Sequence, residues 1–116
     1  MMTNPWQRYR YEAVVVSVYD GDTVTLEIDL GFSTKRVERC RLSRINAPEI
    51  RGDERAKGIL SHDYLKSLLP VGSVVYVQTI RDAREKYGRY LAEIHIKDGC
   101  VNDLMVKAGH AEYREY

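Results

Sequence analysis

Three short stretches of this sequence hold the side chains best suited to chemistry. "VYDGDTVTLEI" (18–28) sets Asp20 and Asp22 either side of Gly21, "RLSRINAPE" (41–49) runs from Arg41 to Glu49, and "KYGR" (86–89) ends in Arg89. Two carboxylates so close suit a hard cation that takes oxygen ligands. Guanidinium groups suit phosphate, because they are planar, bidentate and charged at any relevant pH. Taken singly, each residue has a plainer reading. Asp-Gly is a strong hairpin signal in which glycine accepts positive φ and aspartate bonds its own turn. Arg41 could be an exposed strand residue, Glu49 a loop residue after Pro48, and Arg89 the far side of a Tyr-Gly turn. Together they describe one phosphate-handling rim, provided the fold gathers them.

The elements that must do so can be read from periodicity. Val14, Val16 and Val18 alternate, as do Val24, Leu26, Ile28 and Leu30, and then Cys40 and Leu42, which predicts three strands in a meander. Gly31 in "GFSTK" supplies the second turn, and Pro48 in "NAPE" closes the third strand because it has no N–H for a ladder. In "ERAKGILSHDYLKSLLP" the residues Ala56, Ile59, Leu60, Tyr64, Leu65 and Leu68 recur at helical spacing until Pro70. "SVVYVQTI" and "RYLAEIHI" predict two more strands. "VNDLMVKAGH" predicts a helix with Val101, Leu104, Met105 and Ala108 on one face and Gly109 as its C-cap. The order βββαββα is that of an α+β, mainly β domain: a five-stranded OB-fold, a Greek-key barrel with two helices whose face often binds nucleic acids.

Composition narrows the classes. A chain of 116 residues predicts one domain, 1–116, with one core and therefore one site. Eighteen Lys and Arg against seventeen Asp and Glu give a net charge of +1, too balanced for a protein that coats duplex nucleic acid by charge alone. A local basic groove remains open. The two cysteines, Cys40 and Cys100, form no metal-ligand spacing. "AVVVSV" is too short for a signal-peptide core or a membrane span, so the expected location is cytoplasmic, with no membrane partner.

With these motifs in place, residues 11–109 resemble the staphylococcal nuclease (thermonuclease) family. That family's pattern of an acidic turn, an Arg-Leu strand leading to a D-x-P-E loop, a K-Y-G-R turn, a D-G and a V-N is matched by "DGDT", "RLSRINAPE", "EKYGR", "KDG" and "VND", in order and spacing. The resemblance implies a calcium-dependent phosphodiesterase that cuts DNA and RNA and leaves 3′-phosphates. Phosphodiester hydrolysis concentrates negative charge on the equatorial oxygens, and Arg41 and Arg89 suit that charge. Asp22 would hold Ca2+ with the Asn46 side chain and the Ala47 backbone carbonyl, and Asp20 would act from behind Asp22. By the resemblance, Glu49 is the candidate to orient or deprotonate the attacking water. Lys86 and Tyr87 match family positions that line the nucleotide site. Single strands are the expected substrate, since a small barrel face fits an unpaired strand better than a stiff duplex. Both arginines are expected to be dispensable for folding.

Two departures keep a second class open. Asn46 stands where the family has aspartate, which retains an oxygen ligand but removes a charge. The chain also ends at "HAEYREY", before the prototype's third helix, so that wall is expected to be absent, shortened or supplied by a partner, with Tyr113 and Tyr116 packing in its place. The alternative is a catalytically weak or inactive domain that binds nucleic acid or protein. Oligomeric state is left open. Nine tyrosines against one phenylalanine could include base-stacking rings, although half-buried edge positions are the commoner use. His62, His95 and His110 are scattered and predict no constellation.

Overall fold

The computed structural model describes residues 9–84 and 88–114. Along the chain it contains β1 (Arg10–Asp20), β2 (Thr23–Gly31), β3 (Thr34–Leu42), β4 (Ile45–Asn46), a 3₁₀ turn (Gly52–Glu54), α1 (Arg55–Leu68), β5 (Val74–Arg84), β6 (Tyr90–Ile96), β7 (Gly99–Cys100), α2 (Val101–Lys107) and β8 (Glu112–Tyr113). The main sheet runs β3-β2-β1-β5-β6-β7, and a further pairing of β3 with β6 closes it. The result is a five-stranded barrel of β1, β2, β3, β6 and β5, as the strand order predicts. Its closing seam is parallel, with Cys40 opposite Tyr90, Arg41 opposite Leu91 and Leu42 opposite Ala92. The short strands lie outside the expected pattern. β4 and β8 form a ribbon of their own, and β7 extends β6.

The core fills from alternate strand residues. Val24, Leu26 and Ile28 of β2, Cys40 and Leu42 of β3, and Ala92 and Ile94 of β6 are buried, and Leu65, Leu69, Val101 and Met105 cap them from the helices. Three details differ from the sequence pattern. In β1 the buried residues are Ala13 and Val15, not the alternating valines, and Val16 is exposed. A register shift between Val15 and Ser17 inserts one residue, and the inverted phase then turns Val18 onto the core. Leu30 is exposed because β2 runs out there into the hairpin with β3. In α1 the buried face is Gly58, Ser61 and Leu65, while Ala56 and Leu60 are exposed. Small residues face inward because the helix is pressed against a loop and a turn. Gly109 does end α2, with φ +82 and its N–H donating to the Val106 carbonyl at 3.0 Å. Among the described residues no helix is long and apolar enough to cross a membrane.

Candidate active site

The turn from β1 to β2 is tied by its own side chains. Asp20 Oδ1 accepts the Asp22 N–H at 3.0 Å, which fixes the chain where it reverses. Gly21 has no left-handed φ, contrary to the hairpin expectation. It is glycine because of crowding: a Cβ there would lie 2.7 Å from the Cβ atoms of both Ala47 and Ser61. The acidic turn is thereby seated against the loop after β4 and against α1.

Seating buries Asp22, which is 6% exposed. Its Oδ2 accepts the Ala47 N–H at 2.8 Å and pairs with Arg41 Nη2 at 3.2 Å, and its Oδ1 accepts the Thr23 hydroxyl at 3.2 Å. Burial and the negative charge of Asp20 outweigh Arg41 and the Ala47 amide, so the Asp22 carboxyl is pushed up to about 6. Arg41 is also buried, at 5% exposure, and so is no surface strand residue. Its Nη1 donates to the carbonyls of Leu42 at 2.8 Å and Ile45 at 3.0 Å, and its Nη2 to Asn46 Oδ1 at 3.2 Å. Thr23 lies opposite Arg41 in the β2–β3 register. Arg89, just before β6, donates through Nη1 to the Thr23 hydroxyl at 3.1 Å. Two guanidinium groups from opposite sides of the closing seam are thus joined through Thr23 and Asp22.

Residues 39–116, most of the chain and including the whole of this seam, match the family model described as "Staphylococcal nuclease homologue". The chain belongs to that family. This staphylococcal nuclease homologue is 38% identical over 104 residues to an Escherichia coli protein named "Uncharacterized endonuclease", across 88% of this chain and 61% of the relative. It is 34% identical over 110 residues to Endonuclease YhcR of Bacillus subtilis (strain 168), across 87% of this chain and 9% of that protein. The chain therefore spans less than two thirds of the length of the relatives it matches.

In this staphylococcal nuclease homologue Glu49 is exposed on the loop after β4. Its main chain is held on both sides. The Glu49 N–H donates to Glu54 Oε1 at 3.2 Å, and its carbonyl packs so closely on α1 that a Cβ on Gly58 would lie 1.9 Å from the oxygen. Lys86 and Tyr87 lie outside the described residues, as does Tyr116. The oxygen-bearing groups gathered here are the Asp20 and Asp22 carboxylates and the Asn46 amide, with the Ala47 main chain beside Asp22. Among the described residues no group of three His, Cys, Asp or Glu could hold a metal. Two carboxylates and an amide oxygen are the donor types that a hard cation takes. The negative charge of Asp20 beside the buried Asp22 carboxyl is a repulsion that a cation would relieve.

Thr23 escaped the sequence reading, although it links Asp22 to Arg89; the DGDT motif itself contained the signal. Asn102 escaped it too. Fully buried, it accepts the Ile94 N–H at 3.1 Å and donates to the carbonyls of Ser43 at 2.9 Å and Ala92 at 3.0 Å. That pins α2 to both strands of the seam, and a polar residue between Val101 and Met105 on a buried face was its signal. Arg44, at φ +68, binds Glu93 at 2.7 Å and Asp103 at 2.9 Å, and Tyr113 donates to Asp103 at 2.9 Å. Tyr113 is exposed, so in place of the expected packing its hydroxyl joins this ion cluster and ties β8 to α2. His62 and His110 serve α1: His62 Nε2 lies 3.2 Å from the Val18 carbonyl, and His110 stacks on Tyr64.

Proposed function

We propose that this domain is a nuclease that hydrolyses phosphodiester bonds of DNA or RNA, favours single strands and leaves 3′-phosphates with the help of Ca2+. The observation that carries the reading is the continuous contact path Arg41, Asp22, Thr23, Arg89, which fixes two guanidinium groups at one barrel rim. Fixed donors stabilise developing charge without reorganising during the reaction. Arg41 is oriented by two backbone carbonyls and a carboxylate, Arg89 by a threonine hydroxyl. A phosphate between them would meet charge from both sides. Glu49, on a loop braced by α1, takes the proton of the attacking water as the P–O5′ bond breaks and the 5′ oxygen is protonated from solvent. Asp22, Asn46 and the Ala47 carbonyl, backed by Asp20, are the residues that would hold calcium. Such an ion supplies charge neutralisation on a phosphate oxygen. Lys86 and Tyr87 belong to this reading as contacts to phosphate and sugar. The names of the relatives, both endonucleases, support the class of reaction.

One observation favours a binding module instead. Asp22 is satisfied within the protein by Arg41, Thr23 and Ala47, a self-contained arrangement that needs no metal. Incubating a labelled single strand with calcium, magnesium or chelator separates the two readings. Cleavage with calcium, giving products whose 3′ ends require phosphatase before extension, is the expected result. Binding without cleavage under any metal would leave the module.

A further inference from the structure

Tyr19 is the unpaired residue of a second bulge in β1. Val18 pairs with Val24 and Asp20 with Thr23, so Tyr19 has no register partner and its side chain is re-aimed. Its ring carries the Arg39 guanidinium 4.2 Å from the centroid, and its hydroxyl accepts Arg51 Nη2 at 3.3 Å. All three residues are exposed. Each lies beside a residue of the catalytic rim. Tyr19 precedes Asp20, Arg39 shares a face of β3 with Arg41, and Arg51 follows Glu49 by two residues. Of the carboxylates next to Tyr19 and Arg39 in sequence, Glu38 pairs with Arg36, and Asp20 Oδ1 accepts the Asp22 amide.

The geometry points to a nucleotide subsite. We propose that Tyr19, Arg39 and Arg51 grip a nucleotide flanking the scissile phosphate of a single-stranded nucleic acid, a claim that rests on the nuclease reading. Stacking on tyrosine holds a guanidinium by its face, which leaves the N–H edge for a phosphate oxygen. Arginine and tyrosine planes also stack unpaired bases whatever their sequence. Two cations with one ring beside the rim would extend the phosphate path outward from Arg41. A purely structural role, tying β1, β3 and the loop together, makes a different forecast about substrate length.

The test compares wild type with Tyr19→Leu, Arg39→Gln and Arg51→Gln. The two arginine variants change exposed side chains, and thermal melting checks that each remains folded. Fluorescence anisotropy in chelator, where nothing is cut, measures binding of a labelled dinucleotide and of a strand of about twelve nucleotides. Each variant should bind the longer strand about tenfold more weakly and the dinucleotide as wild type does. Losing either arginine should flatten the salt dependence by about one phosphate contact. With calcium, KM for the longer strand should rise by the same factor while kcat is retained. Unchanged binding of the longer strand, or equal losses on both lengths, would overturn the subsite. A wild type that binds through these residues but cuts nothing under any metal fails the nuclease reading alone. A wild type that cuts while the variants bind normally fails the subsite alone.

Discussion

Arg41 and Arg89 carry the same charge in different media, and that separates their mutants. Removing Arg41 strands the buried Asp22 carboxylate and two carbonyls, a class of change that costs about 3–5 kcal/mol. A small domain holds only about 5–15 kcal/mol in total. Arg89 is half-buried, and its hydrogen bond to Thr23 is worth about 1.5 kcal/mol, the low end for a charged donor. Both alanine variants should lose about a hundredfold or more in turnover, but only Arg41→Ala should also shift the urea midpoint strongly. Equal midpoints would refute the buried role of Arg41. The burial of Arg41 makes it a stabilising residue as well as a site residue, so its removal weakens the fold more than that of Arg89. Alternation put Arg41 on the outer face of β3, and nothing in the sequence revealed that residues 45–47 cross over it. Asp22 adds a pH signature. Its folded value of about 6 lies above the ordinary 3.8, so between the two the native state keeps a proton that the unfolded chain has released. Stability from this group is complete below 3.8 and is lost as pH rises through 6. In chelator the Asp22 contribution to the melting temperature should fall between about pH 4 and about pH 6, and a rise of that contribution over the interval would contradict the assignment.

Among the elements, α1 shows best how far sequence can be read. Its existence and its end before Pro70 were legible from spacing and from proline chemistry. Its buried face was legible at Tyr64, Leu65 and Leu68, which meet the core as the spacing predicts, but not at Gly58 and Ser61, which carry no hydrophobic signal and are selected by distance. The same holds for Gly21, whose hairpin reading was local while its cause is the approach of Ala47 and Ser61. Gly58→Ala tests the point, since two effects compete. Alanine favours a helix over glycine by about 1 kcal/mol. Against that, the new Cβ would sit 1.9 Å from the Glu49 carbonyl oxygen, a backbone atom that can yield only by moving the loop. The variant should therefore be less stable than wild type in thermal melting and slower in turnover, since Glu49 moves with its carbonyl. A stabilised, fully active variant would mean that the loop is not braced by the helix.

At the scale of the whole molecule, the strand order and closure of the barrel followed from five periodic segments, whereas the β4–β8 ribbon and the Arg44 cluster did not. Two-residue strands are too short for periodicity, and ion clusters joining residues 44, 93 and 103 have no local pattern. Metal binding belongs to this scale because it is linked to global stability. Asn46→Asp adds a third acid near Asp20 and Asp22, so in chelator it should melt lower than wild type. With calcium it should gain more, because ligand charge raises calcium affinity. Identical calcium dependence in the two proteins would remove residue 46 from the metal site. The parallel seam between β3 and β6 has a mechanical side as well. It is short, it is bridged by the Ser43 N–H donating to the Ala92 carbonyl at 2.9 Å, and a phosphate held by both arginines would span it. Bound nucleotide would then act as a rivet across the seam that closes the barrel. Hydrogen exchange at the Ser43 amide should slow when an uncleavable nucleotide is added, while exchange in the β1–β2 hairpin changes little. A uniform slowing over both regions would indicate general stabilisation instead of a rivet at the seam.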